Sequence, residues 1–149
     1  MVGWANTRAG MPRVGATASI SKRLGQQEVE LFSEMTGDRN PLHVDEAAAK
    51  ASRFGGLITQ GGVTSGLLNA VVAEKLPGPG TVFLSVSWTF RRPTYLGETM
   101  TATVTVTDVR EDKPICTLET VVLNEQGEVC LDGQAVTYTA DLPAQGRAG

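Results

Sequence analysis

The sequence predicts an α+β domain in which a curved antiparallel sheet wraps around one long apolar helix. Two observations carry that expectation. β-branched residues concentrate late in the chain: residues 1–80 hold 5 Thr and 7 Val, whereas residues 81–140 hold 12 Thr and 9 Val. Such residues suit a pleated, half-buried surface. Ahead of that region, Gly61 to Ala73 contains no charged residue, and a helix with so little polarity has to be buried over most of its circumference.

The elements follow in order. Ala16 to Lys22 reads as one short strand. Gln26 to Thr36 carries Val29, Leu31, Phe32 and Met35 at helical spacing, and Gly37 stands where a left-handed residue ends a helix. Asp45 suits the cap of a short helix through Glu46–Lys50. The apolar helix begins at Gly61 and is closed by Pro77. Val82, Leu84, Val86, Trp88 and Phe90 then alternate with Phe83, Ser85, Ser87 and Thr89, a period of two. Met100, Ala102, Val104 and Val106 alternate with threonines in the same way. Ile115 to Leu123 and Val129 to Ala140 are two further runs, joined by turns at Glu111–Pro114 and Asn124–Gly127. The expectation is a meander of four long antiparallel strands around a helix, a hot-dog architecture. A single helix on one face leaves an edge or a flank uncovered, so a homodimer is expected. One domain spans 16–142, with flexible segments at 1–15 and 143–149.

Composition narrows the function classes. The chain has 149 residues, with 13 Lys and Arg against 16 Asp and Glu and a net charge of −3. No broad basic surface for nucleic acid is expected from that balance. No run approaches the ~20 apolar residues that cross a membrane, and the first residues lack the apolar core of a signal peptide. Cys116 and Cys130 make no disulfide framework and no zinc signature, so both are expected to be buried thiols in a protein of the reducing cytoplasm.

His43 is the only histidine, which excludes multi-histidine metal sites. It closes the run Gly37-Asp38-Arg39-Asn40-Pro41-Leu42-His43. Pro41 biases Asn40 away from helical geometry, so this run is expected to be a loop, and Asp38 and Asn40 suit the stabilisation of such turns. A compact turn aims Asp38 and His43 at one point. Two readings stand: a structural turn, or an acid–base pair that holds a water and exchanges protons with substrate. A second element, Gln60-Gly61-Gly62, opens the apolar helix. Its glycines either let the helix pass tightly against the sheet or let a carbonyl reach the unpaired N–H groups of the helix end. Gly62-Val63-Thr64-Ser65-Gly66 departs from the serine-hydrolase elbow, and Gly78-Pro79-Gly80 departs from the dinucleotide fingerprint.

The run Phe32 to Asp45, with its Asp-x-Asn-Pro-x-His motif, resembles the hydratase signature of the MaoC-like family. The resemblance is closest to the short (R)-specific enoyl-CoA hydratases of polyhydroxyalkanoate synthesis, and it extends from about Ile20 to Val136. It implies catalysis by Asp38 and His43, a Gly61 backbone N–H on the thioester oxygen, and loop support from Asn40. It implies an acyl-CoA substrate with no metal and no organic cofactor. Gln60 stands where relatives often carry histidine, and Asn69 where close relatives carry serine. These two positions are expected to shape acyl selectivity, and Gly62 stands with Asn40, Gln60 and Asn69 among the expected substrate-binding and loop-support residues. CoA is polyanionic and the chain is net negative, so Arg91, Arg92 and Lys113 are the expected phosphate contacts. Three rivals remain: a dehydratase on acyl-carrier-protein thioesters, a thioesterase, and a non-enzymatic scaffold.

Overall fold

The computed structural model describes residues 3–143. In chain order these form β1 (Thr17–Arg23), α1 (Gln26–Thr36), α2 (Pro41–Val44), α3 (Glu46–Ala51), α4 (Gly61–Glu74), β2 (Thr81–Phe90), β3 (Thr99–Val109), β4 (Ile115–Leu123) and β5 (Val129–Thr139). The α+β class and the hot-dog arrangement match the expectation. The strand order is β1-β3-β4-β5-β2, and every neighbouring pair is antiparallel. This corrects the four-strand meander: only β3, β4 and β5 are consecutive neighbours, and β2 lies at the far edge beside β5. The connection after β2 explains it. That segment crosses the entry of α4, where the Thr59 N–H donates to the Thr94 carbonyl at 2.7 Å and Ile58 pairs with Tyr95.

Helix α4 buries Thr64, Leu67, Leu68, Val71 and Val72, which recur every three or four residues along one stripe. The stripe packs on Met100, Ala102, Val104 and Val106 of β3 and on Leu118 and Val122 of β4. Burial is narrower than the missing charge suggested, because the outward side is built of small residues and stays partly open, with Gly62 and Asn69 exposed. At Gly62 the ring of Phe32 rests against the helix backbone, and a Cβ there would fall inside that ring.

Strand β2 departs from simple alternation. Phe83 pairs with Thr137 and Ser85 with Val136, so Leu84 is the extra residue of a bulge. A bulge moves the following residues to the other face. Val82 therefore points away from the core, while Val86 and Phe90 share the inner face with Ala135 and Leu131, their direct partners on β5. At the sheet edge these apolar residues stay uncovered: Val82 and Leu84 are each 56% exposed, Phe90 54% and Val86 47%.

The flexible segment expected over 1–15 is corrected for the residues described. Trp4 is only 5% exposed, belongs to the core cluster, and donates its indole N–H to the Arg110 carbonyl at 2.7 Å. A single aromatic buried under the β3–β4 turn tethers an otherwise polar stretch. The expected tail, 143–149, lies outside the described residues beyond Pro143. Cys116 and Cys130 are free and buried, and burial pushes both thiols up from their ordinary range. Among the described residues no helix is long and apolar enough to cross a membrane.

Candidate active site

Helix α1 ends at Gly37, whose φ of 84° lets its N–H return to the Ser33 carbonyl at 2.8 Å. The chain then turns on two side chains. Asp38 Oδ1 accepts the Asn40 N–H at 3.1 Å, and Asn40 Oδ1 accepts the Leu42 N–H at 3.1 Å. What was expected as a loop with a compact turn contains one helical turn, α2, because Pro41 at its first position supplies a suitable φ and has no N–H to leave unpaired.

His43 leaves α2 toward the strand-like segment before α4. Its Nδ1 donates to the Ile58 carbonyl at 2.6 Å, while the Ile58 N–H donates to the Leu42 carbonyl at 3.1 Å. A carbonyl only accepts, so Nδ1 carries the hydrogen and the neutral ring presents Nε2 as its acceptor. The backbone of one residue thus sets both the position and the tautomer of the imidazole.

Gln60 is the N-cap of α4 and is 1% exposed. Its Nε2 donates to the Val29 carbonyl at 3.1 Å and to Ser33 Oγ at 3.0 Å. It is a strut between α1 and α4 and does not face the cavity, although the sequence placed it among the acyl-selecting positions. Beyond it, the first N–H groups of α4, including that of Gly61, have no acceptor within the helix, and the helix end adds partial positive charge. A Cβ on Gly61 would stand 3.0 Å from the Phe90 ring.

These elements surround an open cavity of about 470 Å³ lined by His43, Arg53, Phe54, Ile58, Gly61, Thr64, Phe90, Arg91 and Arg92. Of the residues singled out from sequence, His43, Gly61, Arg91 and Arg92 meet there. Asp38 is half-buried in the turn beside it; it makes no hydrogen bond to His43 among the described residues, and it is absent from the cavity wall. Asn40 works through the turn, and Gly62 and Asn69 lie on the outward side of α4. Lys113 belongs elsewhere: it sits among Gly3, Asp112, Pro114 and Tyr138. The register places Tyr138 opposite Val82, at the other end of β2 from Arg91, roughly 25 Å away at 3.3 Å per strand residue.

The two arginines after β2 are matched by acids. Arg91 Nε lies 3.0 Å from Asp132, and an Arg92 nitrogen lies 3.3 Å from Glu128. Sequence reasoning missed Arg53, Phe54 and Ile58. Arg53 carried a visible signal, a cation shortly before the glycine-led helix; Ile58 carried none, since it acts through its peptide group. Among the described residues no three metal-ligating side chains converge.

The profile of the MaoC like domain matches residues 6–126. The chain is 40% identical over 123 residues to an (R)-specific enoyl-CoA hydratase of Aeromonas caviae, covering 83% of this chain and 92% of that protein. A solved (R)-hydratase from A. caviae, described as involved in PHA biosynthesis, superposes with a TM-score of 0.83 at 38% identity. That match covers 87% of this chain and 98% of the other. At greater distance, a mitochondrial 3-hydroxyacyl-[acyl-carrier-protein] dehydratase of Solanum lycopersicum is 28% identical, covering 89% of this chain and 78% of that protein.

Proposed function

This chain belongs to the MaoC-like domain family, and from that premise we propose that it is a hydro-lyase that reversibly hydrates trans-2-enoyl-CoA to (3R)-3-hydroxyacyl-CoA. The observation that carries the reading is the meeting of two complementary groups on one cavity wall. His43 offers an oriented Nε2, and Gly61 offers a backbone N–H at a helix end.

In the reaction, water adds across the C2–C3 double bond. His43 Nε2 holds the water at the cavity wall and takes its proton as the hydroxyl bonds to C3, and the Asp38 carboxylate, from the turn beside that wall, is the second group proposed to hold the water. Electron density moves through C2 onto the thioester oxygen, where the Gly61 N–H stabilises the enolate-like charge. One donor of this kind is worth about 2.7–4 kcal/mol. The proton taken from the water is then delivered to C2 from the same side, which restores the thioester and completes the addition. Dehydration runs through the same groups in reverse.

Dimerisation through the β2 edge is part of the proposal. Val82, Leu84, Val86 and Phe90 remain uncovered along that strand, and an unpaired edge of this kind is covered in stable proteins. Phe90 also borders the cavity, so the second copy would shelter the site.

The assay uses crotonyl-CoA. Loss of the conjugated absorbance without free thiol, with a (3R) alcohol as product, is the expected result. Free thiol would make the protein a thioesterase, and a (3S) product or no turnover would overturn the mechanism. A carrier-protein dehydratase is the second reading, favoured by the resemblance to the tomato protein. Matched crotonyl thioesters of CoA and carrier protein compare the two directly.

A further inference from the structure

Three arginines border the cavity, and their surroundings differ. Arg91 and Arg92 are each paired with a carboxylate, Asp132 and Glu128. Arg53 has no carboxylate within ion-pair distance among the described residues, so its charge is the uncompensated one of the three on this cavity's lining. In a chain of net charge −3, such a cation marks where an anion is favoured.

The backbone under Arg53 is anchored. Ser52 Oγ donates to the Ala49 carbonyl at 2.6 Å and accepts the Phe54 N–H at 3.2 Å, while the Tyr95 hydroxyl donates to the Phe54 carbonyl at 2.7 Å. The guanidinium carbon lies 5.9 Å from the centre of the Phe54 ring, a cation–π distance that restrains the head group. A fixed backbone and a restrained fork lower the ordering cost of binding, and guanidinium geometry fits phosphate oxygens in pairs.

We propose that Arg53 is a specificity-determining residue that binds the phosphate groups of coenzyme A while His43 and Gly61 engage the thioester. This rests on the hydratase reading for its substrate but acts on a part of that substrate remote from the chemistry. A pantetheine thioester carries the same reacting atoms and none of the phosphates, so it isolates the contact.

The test compares wild type with Arg53→Gln, Arg53→Lys and the distant control Lys113→Gln. Each is assayed on crotonyl-CoA and crotonyl-pantetheine, with calorimetric binding of free CoA in parallel. Arg53→Gln raises KM for the CoA thioester about tenfold, the effect expected for losing one charge-assisted hydrogen bond. It leaves kcat within about twofold and leaves the pantetheine thioester unaffected. The difference shrinks at high salt; Arg53→Lys falls between, and Lys113→Gln changes nothing. Free CoA binds Arg53→Gln about tenfold more weakly. Equal KM values in wild type and Arg53→Gln, or an equal shift on both thioesters, overturn the proposal while leaving hydration intact. Conversely, Arg53-dependent CoA binding without hydration of either thioester sustains the phosphate contact and removes the hydratase reading. Wild type that does not bind CoA at all overturns the proposal.

Discussion

The Nδ1 hydrogen of His43 is held by the Ile58 carbonyl at 2.6 Å. The contact joins a turn that follows α1 to the segment that leads into α4, so the imidazole and the Gly61 amide are referenced to a shared piece of backbone. Bases whose second nitrogen is held in this way meet their substrate in a single tautomer.

Replacing His43 by Gln keeps a donor for Ile58 and removes the imidazole, and kcat falls at least ~10²-fold. Asp38→Asn keeps an oxygen for the Asn40 N–H and removes the charge, with a loss of similar size. Steady-state rates beside circular dichroism separate chemistry from folding. Near wild-type turnover by a folded Asp38→Asn protein would remove that carboxylate from the mechanism.

Gln60→Leu deletes both hydrogen bonds from α4 to α1 and costs about 1–3 kcal/mol, as for a buried polar network left unpaired. The urea midpoint drops with little change in slope. An unchanged midpoint would mean that the helices hold their spacing without this strut.

Trp4→Ala empties a buried site and removes the bond to the Arg110 carbonyl, at a cost of about 3–5 kcal/mol. Thermal melts measure it. A shift of a degree or less would return this segment to the status of a loose extension.

The Gly25 N–H, donated to the Glu28 carboxylate at 2.8 Å, holds that acid below its usual range. A depressed carboxylate stabilises the fold above the ordinary glutamate range, and the gain disappears as pH falls through the lowered value. Glu28→Gln should therefore cost about 0.3–0.5 kcal/mol at neutral pH, a small figure for a solvent-screened carboxylate near a helix start. Urea titrations of the two proteins should converge in acid. A gap that widens on acidification would contradict the assignment.

Strand positions were legible because the alternation of valine and threonine is local. Strand order was not, since β2 reaches β5 only by way of a crossover past α4 that no short pattern encodes. The turn from Asp38 to His43 was legible from Asn40 and Pro41, whose preferences act within a few residues. Charges at Arg91 and Arg92 were visible, but their carboxylate partners lie about forty residues away on or beside β5, and distance in sequence concealed the pairing. Trp4 was misjudged because its polar neighbours suggested a loose end, while its own indole is the anchor.

The cavity's amide and carbonyl belong to Gly61 and Ile58 as peptide groups, not side chains. A saturation scan would therefore divide this site into two kinds of position. At His43 the chemical identity of the residue is exposed to mutation directly. At Ile58 many side chains should pass, since any non-proline residue supplies the same N–H and C=O, whereas proline alone removes the donor to Leu42. At Gly61 tolerance should track volume, because each added atom meets Phe90 before it alters the N–H. Inheritance of this arrangement thus depends on a path of backbone that sequence change can redecorate extensively before it is lost.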